Sequence, residues 1–453
     1  MNLRHWLGVA EDAHERWAKG HGEFEPHPAL AVPEDRFGEA LAELGERLRI
    51  SYPYHHPRYA GQMQKPPHPA AVVGYHAAMR INPNNHSLDG GRATAALEKE
   101  VVAQLAGMFG FATHLGHLTS SGTMANLEAL YVARETHPGK VVLHCEDAHY
   151  THGRMCQLLG VASESVPADS AGRMDLDALA ERLRRGGVGT VVVTPGTTGL
   201  GAVDPIHQVL PLAREHGVRV HVDAAYGGFF SLLAGGEGIA AEPFAAIAGC
   251  DSVVVDPHKH GLQPYGCGAV LFADPAVGRF YLHDSPYTYF TSGDLHPGEI
   301  TLECSRAGAA AAALWLTLRV LPLTRDGLGE VLAAGRRAAL RWAELIEASD
   351  ELALYQRPDL DIVSCLPTRA SLSEVDTASQ WVLETGMADE ADPVFLATYS
   401  VTAEALRRRG HRLAEDTGSA RILRSVLMKP EHEHTVDALH RRVAGLASAQ
   451  RRG

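Results

Sequence analysis

Lysine is scarce in this chain. Among its 41 Lys+Arg residues only Lys19, Lys65, Lys99, Lys140, Lys259 and Lys429 are lysine. Basic surface is therefore made from arginine, and a lysine kept in a special setting is a candidate for chemistry that arginine cannot do, such as forming a Schiff base. Long apolar runs are missing as well: none reaches the roughly 18 residues needed to cross a bilayer, which argues against a membrane partner. The start, MNLRHWLGVAEDAHERW, has no apolar signal core and carries acids early, so a cytoplasmic protein is expected. Basic charge is not in excess. A formal charge of −13 and a pI near 6.0 argue against nucleic acid or an anionic membrane as partner, and the basic run Arg407 to Arg409 reads as a solvated helix face. The six cysteines (Cys145, Cys156, Cys250, Cys267, Cys304 and Cys365) show no CxxC spacing and read as buried free thiols. There is no internal repeat.

What is present is an ordinary soluble composition, 45% hydrophobic and 21% charged, over 453 residues, enough for two or three domains and a large core. Residues 1–90 are rich in His, Pro and aromatics and weakly periodic, as in SYPYHHPRYAGQMQKPPHP, and are expected to be an arm packed over something else. Residues 91–325 change character. AALEKEVVAQLAGMFGF has helical spacing with Gly110 as its stop; then KVVLHC, TVVVTP, VRVHVDAA, SVVVDP and GAVLF read as strands. Between them DLDALAERLRR and DPIHQVLPLAREHG read as helices, each opened by an acid and followed by glycine. This alternation predicts a mostly parallel α/β sheet whose ligands bind beyond the carboxyl ends of the strands. Residues 326–453 combine helices with the short strands LDIVSCLP and RILRSVLM, the pattern of a smaller α+β domain.

Four stretches carry chemistry if their strand ends lie side by side. In LTSSGTMANLEAL a small-residue turn opens a helix, and backbone N–H groups around Ser121, Gly122 and Thr123 suit a phosphate, although an ordinary capped helix looks the same. In HVDAAYGG, Asp223 follows an apolar strand, where it either caps a helix or holds a pyridine nitrogen protonated. In VDPHKHGLQPYGCG, Lys259 follows Asp223 by about one α/β unit and is the candidate Schiff-base lysine; the His258 and His260 pair lacks a metal ligand set, so no metal is expected. In EDAHYTHGRM, His149 follows a strand and either bonds structurally, stacks on a flat heteroaromatic ring or shuttles a proton in catalysis. Phosphate turn, ring-stacking histidine, pyridinium aspartate and lysine, in that order, describe a pyridoxal phosphate site.

With those stretches, and with HPRYAGQM, ATAALEKEVV, TPGTTGLGAVDPI, SRAGAAAAALW and ILRSVLMKP, the chain resembles the group II pyridoxal-phosphate-dependent amino acid decarboxylases of the aspartate-aminotransferase-like fold type I, from about Pro53 to the last helix. The resemblance implies a PLP-binding α/β domain, a smaller C-terminal α+β domain, a homodimer, and decarboxylation of an L-amino acid to its amine and CO2. It further implies that Lys259 holds the cofactor as a Schiff base and that His149 stacks on its ring. Asp223 would meet the pyridine nitrogen, Ala225 the opposite ring face, Ser121, Gly122, Thr123 and His258 the phosphate, and Thr198 would lie near the cofactor and His149. A related chemistry of the same fold, namely aldehyde synthase, aminotransferase or carbon–carbon lyase, is the alternative. One departure bears on it. Animal aromatic decarboxylases carry a mobile loop after the lysine, with a tyrosine that returns a proton to the substrate. The corresponding stretch YTYFTSGDLHPGEITLECSR is short, with Tyr287 and Tyr289 ahead of the loop proper and His296 as its one titratable donor near neutral pH. Arg424, on a small-domain strand, is expected to bind the substrate carboxylate, with Arg421 and Arg306 as alternatives. His56, together with His55, Tyr59 and His86 in the arm, is expected to shape the side-chain pocket.

Overall fold

The structure, a computed structural model, describes residues 1–282 and 296–452; Tyr287 and Tyr289 lie outside the described residues. A seven-stranded sheet forms its centre: β1 (Leu115–Thr119), β2 (Val141–Cys145), β3 (Ser163–Val166), β4 (Val188–Val193), β5 (Arg219–Asp223), β6 (Ser252–Val255) and β7 (Gly268–Phe272). Their order is β1-β7-β6-β5-β4-β2-β3. Neighbours from β6 through β3 pair in parallel, and β7 runs antiparallel to β1 and β6. The valine-rich runs TVVV and SVVV and the apolar GAVLF supply β4, β6 and β7, buried at every residue, because helices cover both faces of such a sheet. β1 and β3, with the glycine and polar residues of LGHLT and SESV, carried no comparable signal.

Helix α4 (Arg92–Phe109) ends where its sequence says, at Gly110 with φ 79°, a left-handed cap that glycine adopts without a Cβ penalty. Asp175 caps the helix Leu176–Arg184 as expected, its side chain accepting the Ala178 N–H. Asp204 does not cap the helix Ile206–Glu215. Pro205 occupies the cap position, and the buried Asp204 carboxylate instead accepts the N–H groups of Met174 and Thr194, both at 2.7 Å, tying three segments together.

Beyond the long helix Glu330–Glu347 lies a second, antiparallel sheet in the order β10-β11-β9-β8, from β8 (Leu352–Leu354), β9 (Ile362–Pro367), β10 (Ala397–Thr402) and β11 (Ser419–Val426). Its core gathers Trp342, Val363, Leu423 and Val443. In the N-terminal region α1 (Leu3–Lys19) packs on α3 (Pro69–Met79), whereas every residue of α2 (Glu34–Leu48) is exposed. Farther on, the arm clips into the second sheet. Phe395 N–H donates to Arg58 O, Ala60 N–H to Phe395 O and Val426 N–H to Ala60 O, all within 3.0 Å.

Candidate active site

The carboxyl ends of β2, β4, β5 and β6 deliver four loops to one edge of the central sheet, and the turn before α5 (Gly122–Thr136) joins them. Between them is a cavity of about 230 Å3 lined by all nine residues expected around the cofactor: Ser121, Gly122, Thr123, His149, Thr198, Asp223, Ala225, His258 and Lys259. Two loops meet backbone to backbone. A Cβ on Gly227 would stand 1.7 Å from Pro195 O, so glycine is what lets the loop after β5 close against the one bearing Thr198.

Asp223 ends β5 at 4% exposure. Burial alone would push its carboxyl up, but His152 Nε2 donates to Oδ2 at 2.9 Å, and that bond, with the nearby Lys259 behind it, wins and holds the group well below the ordinary carboxylate range. Oδ1 accepts the Ala225 N–H at 3.2 Å, which ties the residue expected on the ring face to the carboxylate. The buried His221 braces α5. Its Nε2 meets Asn126 Oδ1 and its Nδ1 meets Ser252 Oγ, both at 2.9 Å, and burial brings its pKa down to about 3, so it works as a neutral strut.

His149 stands on the opposite wall. Its Nδ1 receives the Thr151 N–H at 3.2 Å and lies 2.7 Å from Thr151 Oγ1. A backbone N–H can only donate, so Nδ1 is an acceptor and the proton of the neutral ring sits on Nε2. Burial, which outweighs the pull of Asp223 and is joined by the push of Lys259, lowers its pKa and keeps the ring neutral and flat-faced. At the helix end of the cavity Ser121 Oγ accepts the Met124 N–H, leaving the first turn of α5 as an anion cup. Lys259 Nζ lies 3.0 Å from Asp256 Oδ2.

Three expected residues are not brought to this cavity. His56 is exposed, accepts the Arg58 N–H at 3.1 Å, and lines a separate cleft with Asp392 and Arg442. His296 is buried beyond the cavity wall, where its Nδ1 accepts the Leu88 N–H at 3.1 Å. Arg424 is 5% exposed, and its donors are committed: Nη2 to Thr198 O at 2.6 Å, Nε to Gly199 O at 2.8 Å and Nη1 to Gly61 O at 3.4 Å. A guanidinium so engaged has no open fork for a substrate carboxylate; it braces the Thr198 wall instead. Of the alternatives, Arg421 is paired with Asp376 and Arg306 with Glu98.

Sequence reasoning missed His152, Asp256 and Tyr226. His152 stands three residues after His149, in the same short stretch EDAHYTHGRM and in the first turn of the helix that follows, which was the one signal available. Asp256 was visible in DPHKHG but was passed over for its neighbours. Tyr226 lines the cavity while its hydroxyl bonds to Asp361, just ahead of β9 in the second sheet, a contact of high sequence separation that no local pattern shows.

The donor set fits pyridoxal 5′-phosphate: a helix N-terminus for phosphate, an ionised carboxylate for the pyridine nitrogen, a flat neutral imidazole and a lysine. Comparison with known proteins agrees. The chain is 29% identical to the L-tyrosine decarboxylase of Enterococcus faecium, over 71% of this chain and 69% of that one. It is 30% identical to the L-aspartate decarboxylase of Thermococcus kodakarensis, over 72% and 83%. A solved structure of Oryza sativa TDC with PLP and tryptamine superposes with a TM-score of 0.79 at 18% identity, covering 98% of both chains, and so shares the fold type I architecture. Residues 52–365 match the model of the pyridoxal-dependent decarboxylase conserved domain, and the chain belongs to that family of PLP-dependent amino acid decarboxylases.

Proposed function

We propose that the cavity beside β5 and β6 is where this decarboxylase works, with Lys259 as its Schiff-base lysine and an L-amino acid of uncharged side chain, L-tyrosine above L-aspartate, as its substrate. The observation that carries the first part is the convergence of Lys259, Asp223 and His149 on one cavity. What supports the second is the lining itself, which among the described residues includes no arginine to balance a second carboxylate. Bound there, the cofactor supplies an electron sink for the pair left on Cα when CO2 departs. Asp223, kept ionised by His152, would hold the proton on the pyridine nitrogen. His149 and Ala225 would hold the ring, and the anion cup of Ser121, Gly122 and Thr123, with His258 beside it, would hold the phosphate. Arg424 positions the Thr198 wall.

The arm supports a homodimer. Phe37, Leu41, Leu44 and Leu48 fall on one face of α2 and are each more than half exposed, an apolar surface of the kind that marks an interface. A cytoplasmic setting is supported by the described cysteines, which are all free thiols.

The test is a panel of amino acids assayed for CO2, ammonia and peroxide together, with borohydride reduction of the holoenzyme. CO2 with amine from L-tyrosine, and loss of the yellow colour and of the reducible adduct in Lys259→Ala, are expected. A reducible adduct surviving in Lys259→Ala would remove the central assignment, and peroxide or ammonia in step with CO2 would move the reading to aldehyde synthesis.

A further inference from the structure

Asp256 has no part in the reading above, yet its setting is unusual. It leaves β6 directly, three residues before Lys259, and is 2% exposed. Its Oδ2 lies 3.0 Å from Lys259 Nζ and 3.5 Å from His258 Nε2. His258 Nδ1 faces the Cys267 carbonyl at 2.8 Å. A carbonyl only accepts, so that nitrogen bears the hydrogen, and the neutral ring offers Asp256 a lone pair instead of a donor. Asp256 Oδ1, although buried, has no hydrogen-bond partner among the described residues. Both oxygens press on the start of the 15-residue helix α5: a Cβ on Gly122 would lie 2.6 Å from Oδ2 and 2.8 Å from Oδ1. A half-satisfied carboxylate thus stands in the cup where the cofactor's phosphate is expected. The groups that feel its charge are Lys259 and His258 on its own segment, His149 across the cavity, and Tyr265 and Cys267 behind it.

We propose that Asp256 is the ion-pair partner that Lys259 rests on while the cup is open, and that the same carboxylate weakens the cup's grip on the cofactor's phosphate, so that loading is coupled to breaking this ion pair. The inference rests on the cavity being the cofactor site. A helix N-terminus stabilises one anion well, and a carboxylate already there opposes a second within a few ångströms, where burial leaves little screening. Lys259 must also leave Asp256 before its nitrogen can reach an aldehyde, and a carboxylate 3.0 Å away holds it back. Both effects disfavour loading and both vanish together when the charge is removed.

The experiment uses the full chain stripped of cofactor and sulfate as probe, a dianion whose charge does not change near neutral pH. Its binding is measured by titration calorimetry in wild type, Asp256→Asn, Lys259→Ala and the double variant. Asp256→Asn is expected to bind sulfate about tenfold tighter or better, Lys259→Ala more weakly than wild type, and the double variant more tightly than Lys259→Ala, because the repulsion acts whether or not the lysine is there. Pyridoxal 5′-phosphate should load more tightly onto Asp256→Asn as well. Equal or weaker sulfate binding in Asp256→Asn overturns the proposal. Asp256→Ser, smaller and neutral, repeats the comparison, and since Asp256 is given no part in the fold, failure of both variants to fold counts equally against it. No Schiff base enters the sulfate measurement, so its failure is distinct from that of the Lys259 assignment, which borohydride reduction of Lys259→Ala decides.

Discussion

Replacing Arg424 with lysine separates bracing a wall from gripping a substrate. The guanidinium donates to the carbonyls of Thr198, Gly199 and Gly61 from three different nitrogens, and lysine's single ammonium cannot span that fan. If it keeps one carbonyl, two lose a charged donor in a buried setting, at about 1–2 kcal/mol each. The expected loss of stability is thus about 2–4 kcal/mol. Thr198 lines the cavity, and a shift of a wall by about an ångström can cost roughly a hundredfold in turnover, so kcat and cofactor affinity should fall together. Urea denaturation of the cofactor-free chain and steady-state kinetics of the loaded enzyme are the two assays. A carboxylate-gripping arginine behaves differently: the cofactor-free fold is indifferent to the change and KM rises with loss of orientation. An unchanged denaturation midpoint with a raised KM would refute the bracing role and return Arg424 to the substrate.

His152→Ala should leave Asp223 buried without its donor. The folded carboxyl, now held low, contributes stability that is complete above its unfolded value near 3.9 and lost as pH falls through the folded one; without His152 that acid-side loss should begin at higher pH, and turnover should drop about tenfold or more. A mutant with the wild-type acid limb and kcat would exclude the link. Asp361 has the opposite sign. Burial, countered by Tyr226 and Lys65, raises it to about 6, so stability should fall as pH climbs from about 4 to 6, by roughly 2–3 kcal/mol, and stay level above. Asp361→Asn should flatten that stretch of the denaturation midpoint against pH. For the arm, Leu41→Asp with Leu44→Asp should convert a dimer to a monomer by light scattering; a wild-type monomer with full activity would remove the dimer.

The central sheet was legible because its strands are short apolar runs between helices with recognisable caps, and because a parallel sheet puts every β-to-α loop on one edge. That rule drew together Ser121, Gly122, Thr123, His149, Asp223 and Lys259, and the family resemblance added Thr198, Ala225 and His258. β1 and β3 escaped for want of alternation, and β8 and β10 because edge strands of a small antiparallel sheet carry mixed residues. The misplaced residues share a cause. His56, His296 and Arg424 were chosen for what their side chains can do, whereas a histidine or arginine in a tightly packed chain also meets backbone groups that need a partner, and each of these three does.

The scarcity of lysine shows how far such a signal reaches. Lys65 and Lys429 also sit in protected settings: one donates to Met428 O at 3.1 Å, the other to Tyr59 O at 2.6 Å, and burial brings both down to about 8. They pin the arm to the end of β11, where a slim stem carrying a point charge reaches a carbonyl that a planar guanidinium would crowd. A protected lysine therefore marks a place arginine cannot serve, for a steric reason at Lys65 and Lys429 and a chemical one at Lys259. What distinguishes Lys259 is its company. It follows a strand next to β5, within reach of a cavity that also holds an ionised carboxylate, a neutral imidazole and a helix N-terminus, and among the described residues it alone of the lysines rests its nitrogen on a carboxylate, not a carbonyl. A carbonyl fixes a lysine in place; a carboxylate at the rim of an anion cup holds it only until a stronger claim on its nitrogen arrives.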